Sequence, residues 1–241
     1  MTAPVYVSLG DSLVSGDGVG QYTRHEQAWA GLLAAAAGAT FVGLAQGGAP
    51  IASVLRDQLP QARALSPRVA CVSAGMNDLF RSGGAARVDD ALEQLVGGLR
   101  DGGTTVVIGR LHDPTCRLRL PAAAARAVRE HAAAINARLD ALARDPGVLL
   151  LDLGVLLARD ECWAVDRMHP SGYGHRVLAA GAAQRIGLAR PVPLGVAPPA
   201  PSTAAFYRWV LRHGVPWLAL RTPELVSSPM LRRQPQRCPT V

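Results

Sequence analysis

The chain has 241 residues, of which 49% are hydrophobic and 18% are charged. A chain of this length and composition can bury a sizeable core, which excludes global disorder, and it is short enough to form a single α/β domain. The formal net charge is +7, and all 25 basic residues are arginine. The four scattered cysteines contain no C-x-x-C pair, so they favour neither a zinc site nor a disulfide framework and fit free thiols in a reducing cytosol.

The start of the chain favours a cytoplasmic protein. Residues Met1–Tyr6 lack the basic and apolar regions of a signal peptide. The uncharged run Ala28–Ala45 is long enough to raise the question of a transmembrane helix, but it is mostly alanine and glycine. Because Gly38 and Thr40 interrupt this run and divide it into a helix and a strand, we expect no transmembrane segment. The lack of signal-peptide features is the basis for the expected cytoplasmic location.

Strands and helices alternate along residues 1–188. The predicted strands are Val5–Ser8, Thr40–Leu44, Arg68–Ser73, Thr104–Gly109 and Val148–Asp152. The predicted helices are Glu26–Ala37, Ile51–Leu59 (ended by Pro60), Val88–Arg100, Pro121–Arg144 and Gly172–Ile186. Because parallel strands need crossover connections, this alternation predicts an α/β fold with a five-stranded parallel sheet between two helical layers, a three-layer α/β/α sandwich.

Residues 189–241 have a different composition, with seven arginines against a single acidic residue and 10 of the 18 prolines. We expect a Pro/Arg-rich extension packed on the same domain, with a linker at Pro191–Pro201 and one amphipathic helix at Thr203–His213. The charge fits a solvated surface or, alternatively, an anionic partner such as nucleic acid or a membrane surface. No nucleic-acid-binding motif occurs, so no nucleic-acid partner is expected. The apolar residues of the extension that are available for burial are Phe206, Val210 and Trp217.

Three short polar loops directly follow predicted strands. They are Gly10-Asp11-Ser12, Gly47-Gly48 and Gly75-Met76-Asn77-Asp78. In parallel α/β sheets the ligand site lies beyond the carboxyl ends of the strands, where these loops would meet. The sequence therefore predicts a site built from them.

Ser12 is the candidate nucleophile of that site. A serine hydroxyl is a poor nucleophile until a base removes its proton, and His169 is the best candidate base. Asp166 lies three residues before His169, a spacing that lets its carboxylate hold one ring nitrogen while the other faces Ser12. The absence of a Gly-x-Ser-x-Gly motif disfavours an ordinary α/β-hydrolase.

An attacked carbonyl oxygen becomes an anion and needs fixed hydrogen-bond donors. Gly48 can offer a backbone N–H at close range, Asn77 can offer a side-chain amide, and the Ser12 N–H would be a third donor. These three residues form the predicted oxyanion hole.

In this order, the segments Gly10–Leu13, Gly43–Ala49, Gly75–Asp78 and Asp166–His169 resemble the four motif blocks of the SGNH (GDSL-type) hydrolase family. The resemblance covers roughly residues 1–188 and implies a flavodoxin-like sheet of order 2-1-3-4-5. It also implies hydrolysis of a small-molecule ester through an acyl-serine, with no cofactor or metal. One departure is Gly43, which stands where similar proteins usually have Asn, so a polar contact near the second block is expected to be missing.

The other residues near the predicted site are expected to support it without taking part in the reaction. We expect Asp11 and Asp78 to hold their loops, His175 to be structural, and Gly16–Gly20 to form a flexible loop near the nucleophile. The loop Leu111–Leu120 is a candidate wall for the acyl or leaving group. The histidines that match no metal-binding spacing are His25, His112, His131 and His213.

Two alternatives stay open at this point. An acyltransferase or a natural-product deacylase would use the same triad with another acceptor. A non-enzymatic protein whose basic tail contacts anions is the alternative from another class, and it would bind in a strongly salt-dependent manner.

Overall fold

A computed structural model describes residues 2–18, 21–79, 84–118 and 120–216. The strands in chain order are β1 (Val5–Gly10), β2 (Asp17–Gly18), β3 (Gln21–Tyr22), β4 (Thr40–Gly43), β5 (Val69–Ser73), β6 (Thr105–Arg110) and β7 (Val148–Asp152). Five of them form one parallel sheet in the order β4-β1-β5-β6-β7, while β2 and β3 form a separate antiparallel pair. Taken by themselves, the five sheet strands run 2-1-3-4-5. The labels β4 to β7 are higher than the numbers in this order because two short strands that were not predicted, β2 and β3, follow β1 in the chain.

The predicted α/β fold is confirmed, with helices covering the sheet. The helices are α1 (Ser12–Ser15), α2 (Trp29–Ala37), α3 (Ile51–Ser53), α4 (Leu59–Ala64), α5 (Gly84–Arg100), α6 (Ala122–Leu142), α7 (Leu153–Leu156), α8 (Gly172–Arg185) and α9 (Thr203–Trp209). Helices α2 and α8 pack together as one layer, and α4, α5 and α6 pack in succession as the other.

The centre of the sheet is fully buried because its strands have helices on both sides. Every residue of β5 is buried, and β1 is buried from its second residue onward, as expected for continuous apolar strands of a parallel sheet. The register pairs Gly10 at the end of β1 with Ser73 at the end of β5. This pairing brings the loops that follow the two strands to the same edge.

The helix predicted to end before Pro60 in fact continues to Ala64. A π-helical turn at Val54–Gln58 connects α3 to α4, and the Leu59 N–H bonds the carbonyl of Val54, five residues earlier. Proline lacks an N–H, and in a regular helix its ring clashes with the carbonyl of the residue four positions before it. The wider turn removes that conflict, so Pro60 occupies the first turn of α4 instead of stopping the helix.

The helix predicted from Glu26 is divided into two elements. A 3-10 turn covers His25–Gln27, Ala28 is extended, and α2 begins at Trp29. The turn folds back against Gly31, where an added Cβ would lie only 2.5 Å from the Glu26 Cα. This close contact between Glu26 and Gly31 is possible only because the helix is interrupted at Ala28, and the spacing of apolar residues in the sequence does not indicate such an interruption. Other boundaries move by a few residues, the largest change being α5, which begins at Gly84.

The described part of the C-terminal extension contacts the rest of the molecule. Val192 is buried, and Arg176 of α8 donates from Nε to the carbonyl of Leu194 at 2.5 Å. Ser202 caps α9, and a π-helical turn at Val210–Gly214 continues that helix. Trp217 and the rest of the extension lie outside the described residues. Among the residues described, no helix is long and apolar enough to cross a membrane.

Candidate active site

The turn after β1 depends on a close approach between two strands. Gly10 has φ of +124°, and a Cβ at this position would lie 1.8 Å from the Ser73 carbonyl oxygen. The next residue, Asp11, donates its N–H to the same oxygen at 2.9 Å. Only glycine fits this backbone conformation and this space. The chain then enters α1, whose first residue is Ser12.

A buried glutamine fixes this turn, and sequence analysis missed it. The Gln58 side chain accepts the Gly10 N–H at 2.7 Å and donates to the Gly10 carbonyl at 3.1 Å. Gln58 is 1% exposed and closes the π-helical turn between α3 and α4. The one signal available in the sequence was Pro60, which shows that the helix around it cannot be regular. Both polar groups of Gly10 are thereby satisfied inside the core.

Asp11 acts as the N-cap of α1 and links two loops. Its Oδ1 accepts the Leu13 N–H at 3.0 Å, and its Oδ2 accepts from Asn77 Nδ2 at 3.4 Å. Burial raises the pKa of Asp11 to about 7, although the Leu13 hydrogen bond and the nearby His169 both act to lower it. These contacts agree with the loop-holding role predicted for Asp11.

The structure brings together three side chains that lie far apart in the sequence. His169 Nε2 is 2.9 Å from Ser12 Oγ, across 157 positions of the chain. On the other side of the ring, His169 Nδ1 is 2.7 Å from Asp166 Oδ2. Because a carboxylate can only accept, this contact requires the proton on Nδ1 and leaves Nε2 able to accept the Ser12 hydroxyl proton.

Asp166 is held rigidly in its loop. Its Oδ1 accepts the N–H groups of Met168 at 2.9 Å and His169 at 3.0 Å, and its side chain is only 1% exposed. Burial alone would raise the pKa of Asp166, but the hydrogen bond from His169 and the two backbone N–H groups outweigh it and lower the pKa. The carboxylate therefore stays ionised and keeps the imidazole in one orientation.

The β2–β3 pair lies directly against the His–Asp contact. A Cβ on Gly18 would be 3.2 Å from both Asp166 Oδ2 and His169 Nδ1. The preceding residue, Asp17, accepts from Ser15 Oγ at 2.9 Å, which ties β2 to the end of α1. The segment predicted only as a flexible loop thus covers part of the site, although Val19 and Gly20 lie outside the described residues.

The predicted oxyanion donors lie on loops that are joined to one another. Gly48 has φ of +76°, which favours glycine. Among the described residues, neither its N–H nor the Ser12 N–H has a hydrogen-bond acceptor. Asn77 Nδ2 is 3.3 Å from the Ala49 carbonyl, and Asp78 accepts the Ile51 N–H at 3.0 Å, as expected of a loop-holding residue.

The departure at Gly43 has a steric explanation. A Cβ at this position would lie 2.3 Å from Nδ1 of His25, whose ring occupies the adjacent space. A larger residue such as Asn would therefore have to displace the imidazole. The His25 ring thus occupies the space next to Gly43, and the loss of a polar contact at this position stays a prediction.

Two cavities flank the loop that was predicted to form a substrate wall. A cavity of about 560 Å³ includes Leu111 and His112 in its lining, and one of about 350 Å³ includes residues 115–118. The smaller cavity also touches Ala164 and Arg167, which belong to the loop that carries the His–Asp contact. Ser12 lines neither cavity, so the role of the predicted wall stays a prediction; Arg119 of this loop lies outside the described residues.

Two further histidines are buried and neutral. The His175 Nδ1 accepts the Trp29 N–H at 3.3 Å, and burial lowers the pKa of His175 to about 4, in keeping with a structural role. Burial, reinforced by the charge of Arg117, also lowers the pKa of His112 to about 4, and its ring packs on Trp163 at 4.7 Å. In the described part of the chain, no group of three or more His, Cys, Asp or Glu side chains is placed to hold a metal ion.

Comparisons with known proteins identify the family of the chain. The GDSL-like lipase/acylhydrolase family matches residues 8–177, which include all the predicted motif blocks. Comparison with curated proteins gave no match.

Solved structures share the fold at low sequence identity. An extracellular lipase from Streptomyces rimosus is 22% identical with a TM-score of 0.57, over 76% of this chain and 100% of that chain. Phospholipase A1 from Streptomyces albidoflavus NA297 is 20% identical with a TM-score of 0.57 over the same shares, 76% and 100%. A member of the lipolytic protein G-D-S-L family from Veillonella parvula DSM 2008 is 18% identical with a TM-score of 0.59, over 76% and 98%. The chain therefore belongs to the GDSL-like lipase/acylhydrolase family and is a serine ester hydrolase.

Proposed function

We propose that the chain hydrolyses carboxylic esters through an acyl-serine formed on Ser12, with His169 as the base and Asp166 as the residue that orients it. The observation that carries this proposal is the continuous chain of contacts, 2.9 Å from Ser12 Oγ to His169 Nε2 and 2.7 Å from His169 Nδ1 to Asp166 Oδ2. A hydroxyl, an imidazole and a buried carboxylate in this order form the arrangement that activates a serine nucleophile.

In the first half of the reaction, Ser12 Oγ forms a bond to the ester carbonyl carbon while His169 Nε2 takes the hydroxyl proton. The carbonyl electron pair moves onto oxygen and gives a tetrahedral anion. When this intermediate collapses, the bond to the alcohol oxygen breaks, and His169 returns its proton to the departing oxygen. The products are a free alcohol and an acyl group on Ser12.

In the second half, a water molecule takes the place of the alcohol. His169 removes a proton from the water as its oxygen attacks the acyl carbon. Collapse of the second tetrahedral anion breaks the bond to Ser12 Oγ, which recovers the proton from His169. The carboxylic acid leaves, and the three side chains return to their starting protonation states.

The proposed oxyanion hole consists of the Ser12 N–H, the Gly48 N–H and the Asn77 side-chain amide. Support comes from the two backbone N–H groups, which have no acceptor among the described residues. The Asn77 amide lies on a loop joined to that of Gly48 through Ala49. Its two hydrogens face the Ala49 carbonyl at 3.3 Å and Asp11 Oδ2 at 3.4 Å, so its contribution requires one of these two long contacts to open when the oxyanion forms. Loss of one such donor costs about 100- to 1000-fold in rate, because the donors meet charge that develops only in the transition state.

Turnover of a short-chain aryl ester by Ser12→Ala tests the proposal. We expect kcat to fall by at least about 10⁴-fold with little change in the unfolding transition, because the hydroxyl is the reacting group. Ser53→Ala is the matched control, since this serine only donates to the Pro50 carbonyl away from the triad. Normal turnover by Ser12→Ala would refute the assignment of the nucleophile. A small-molecule ester as the substrate and a cytoplasmic location stay predictions.

A further inference from the structure

The C-terminal helical segment, residues 203–215, exposes an apolar face. Tyr207 is 55% exposed, Leu211 is 73% exposed and Val215 is 51% exposed, and the three follow one another at intervals of four residues. This spacing puts them on one side of a helix. We call these three residues the outer face. Side chains of this size are normally buried, and a contiguous group of them on a surface marks an interaction site.

The opposite side of the segment is anchored on the loop of the catalytic histidine. The Arg167 guanidinium lies 4.4 Å over the Phe206 ring, and that ring stacks on Trp209 with a centroid distance of 6.4 Å. Arg167 itself lies between Asp166 and His169 in the sequence. The helix is therefore attached through its inner side. On the outer face, Tyr207 has a tilted ring contact with Phe206 at a centroid distance of 5.6 Å, yet all three residues keep more than half of their surface exposed.

Charge identifies the kind of partner that fits this surface. Arg208 and Arg212 are exposed on the same segment, and neither forms an ion pair within the described residues. The whole extension from Ala189 onward has seven arginines and one acidic residue. An apolar face beside unpaired arginines is typical of a helix that lies in the interface of an anionic bilayer.

Other occupants fit less well. A second copy of the chain would bring two strongly basic extensions together, and the resulting repulsion opposes association. A nucleic acid would meet the arginines with its phosphates and could stack bases on Tyr207, but it has no hydrocarbon layer into which Leu211 and Val215 could insert. A bilayer supplies both an anionic surface and a hydrocarbon layer that can cover these aliphatic side chains.

We propose that residues 203–215 form a membrane-docking surface for anionic phospholipid bilayers. Tyr207, Leu211 and Val215 enter the interfacial region, while Arg208 and Arg212 contact the headgroup phosphates. This docking goes beyond ester hydrolysis and does not depend on it.

The docking surface has a consequence for the proposed active site. The inner side of the helix contacts the loop of Arg167, and Met168 in the same loop is 36% exposed. Docking therefore places this loop within a helix diameter of the lipid headgroups, about 10 Å. If the proposed function holds, the favoured substrates are esters presented at a bilayer surface.

Flotation of the full-length protein with vesicles tests the proposal. One set of vesicles contains phosphatidylcholine alone, and the other contains phosphatidylcholine with phosphatidylglycerol at about a 7:3 ratio, both in about 0.1 M NaCl. We expect the protein to float with the anionic vesicles, to remain unbound with phosphatidylcholine alone, and to be released in about 1 M NaCl, where charge attraction is screened.

Two double variants separate the contributions of charge and apolar contact. Arg208→Gln with Arg212→Gln should weaken partition onto anionic vesicles by about 25-fold, because each arginine near such a surface contributes about fivefold. Tyr207→Ser with Leu211→Ser should weaken it by at least about 10-fold through loss of apolar burial. Both variants should keep wild-type turnover of a soluble ester, which verifies folding.

Matched controls lie elsewhere on the molecule. Val155→Ser changes an apolar residue that is 71% exposed on α7, and Arg63→Gln with Arg126→Gln removes two exposed arginines from other helices. These controls should float like the wild type, as should Ser12→Ala, so that failure of docking and failure of the proposed catalysis give different results.

Several results would overturn the proposal. The first is a wild-type protein that does not float with anionic vesicles, and the second is flotation of the double variants equal to that of the wild type. The others are tighter binding to nucleic acid than to anionic vesicles, and a dimer in sedimentation velocity that Leu211→Ser dissociates.

Discussion

Truncation of Gln58 to alanine should destabilise the protein and reduce its turnover, although Gln58 is no part of the triad. Its side chain bonds both polar groups of Gly10, two residues before Ser12, the proposed nucleophile. In Gln58→Ala the Gly10 N–H loses its acceptor inside the core. The Gly10 carbonyl keeps one donor, the Gln46 N–H at 3.1 Å.

The magnitude follows from two contributions. A buried N–H left without an acceptor costs about 1–3 kcal/mol. Removal of a large buried side chain costs about 2–5 kcal/mol when the surroundings cannot collapse into the space. Because the two overlap, we expect a loss of about 3–5 kcal/mol in the free energy of unfolding. For a chain of this size each kcal/mol lowers Tm by about 2–4 °C, so Tm should fall by about 10 °C.

Turnover should fall because loss of the Gln58 contacts lets the Gly10 turn move, and Ser12 moves with it. A displacement of a reacting group by about 1 Å can lower the rate by about 100-fold. Thermal melting, denaturant titration and kcat on a soluble aryl ester measure the two effects. Gln58→Leu fills most of the volume without hydrogen bonds and isolates the polar contribution. Gln61→Ala is the matched control, because this exposed glutamine lies on the same helix. A Tm for Gln58→Ala within about 2 °C of the wild type, with unchanged turnover, would show that Gln58 does not hold the Gly10 turn in place.

Three further predictions concern other residues of the site. Asp166→Asn should lower kcat by about 10³- to 10⁴-fold while the melting curve stays close to that of the wild type, and an unchanged kcat would contradict its orienting role. Gly10→Ala should prevent stable folding, because its Cβ would lie 1.8 Å from the Ser73 carbonyl oxygen. Gly38→Ala, whose Cβ has no atom within 4 Å, should lower the free energy of unfolding by only about 1 kcal/mol in a denaturant titration. Equal losses of stability in the two variants would show that the close approach to Ser73 is not the cause. Folding raises the pKa of Asp11 from 3.8 to about 7, so the folded chain binds this proton more tightly than the unfolded chain does. The stability that protonated Asp11 contributes is therefore fully present below about pH 4 and is lost as the pH rises to about 7. The stability of Asp11→Asn relative to the wild type should therefore increase between pH 4 and pH 8 by an amount on the order of 4 kcal/mol, and denaturant titrations that give a constant difference would show that the carboxyl is not perturbed.

The fold and the candidate triad follow from local sequence features. Continuous apolar runs gave the strands, because a strand buried on both faces admits few polar residues. The spacing of Asp166 and His169 is short enough that local loop geometry alone brings their side chains into contact. Their meeting with Ser12 required only that the first strand lie near the centre of a parallel sheet.

Features that depend on distant backbone contacts were not predictable. Pro60 is a helix breaker by propensity, and only the π-helical turn around Gln58 explains why the helix continues. Nothing in the sequence around Gly18 indicated its position beside the His–Asp contact, since it leaves room for the side chains of Asp166 and His169, 148 and 151 positions away. The contact between Phe206 and Arg167 was equally unpredictable, because neither segment has a sequence feature that indicates the other as its partner.

Labelling with a fluorophosphonate shows which serine of the protein is the nucleophile. The reagent forms a covalent bond to an activated serine oxygen with loss of fluoride, so peptide mapping identifies the nucleophile without knowledge of the natural substrate. We expect one modified residue, Ser12, and loss of labelling in both Ser12→Ala and His169→Ala. Modification of a different serine, or undiminished labelling of Ser12→Ala, would contradict this assignment.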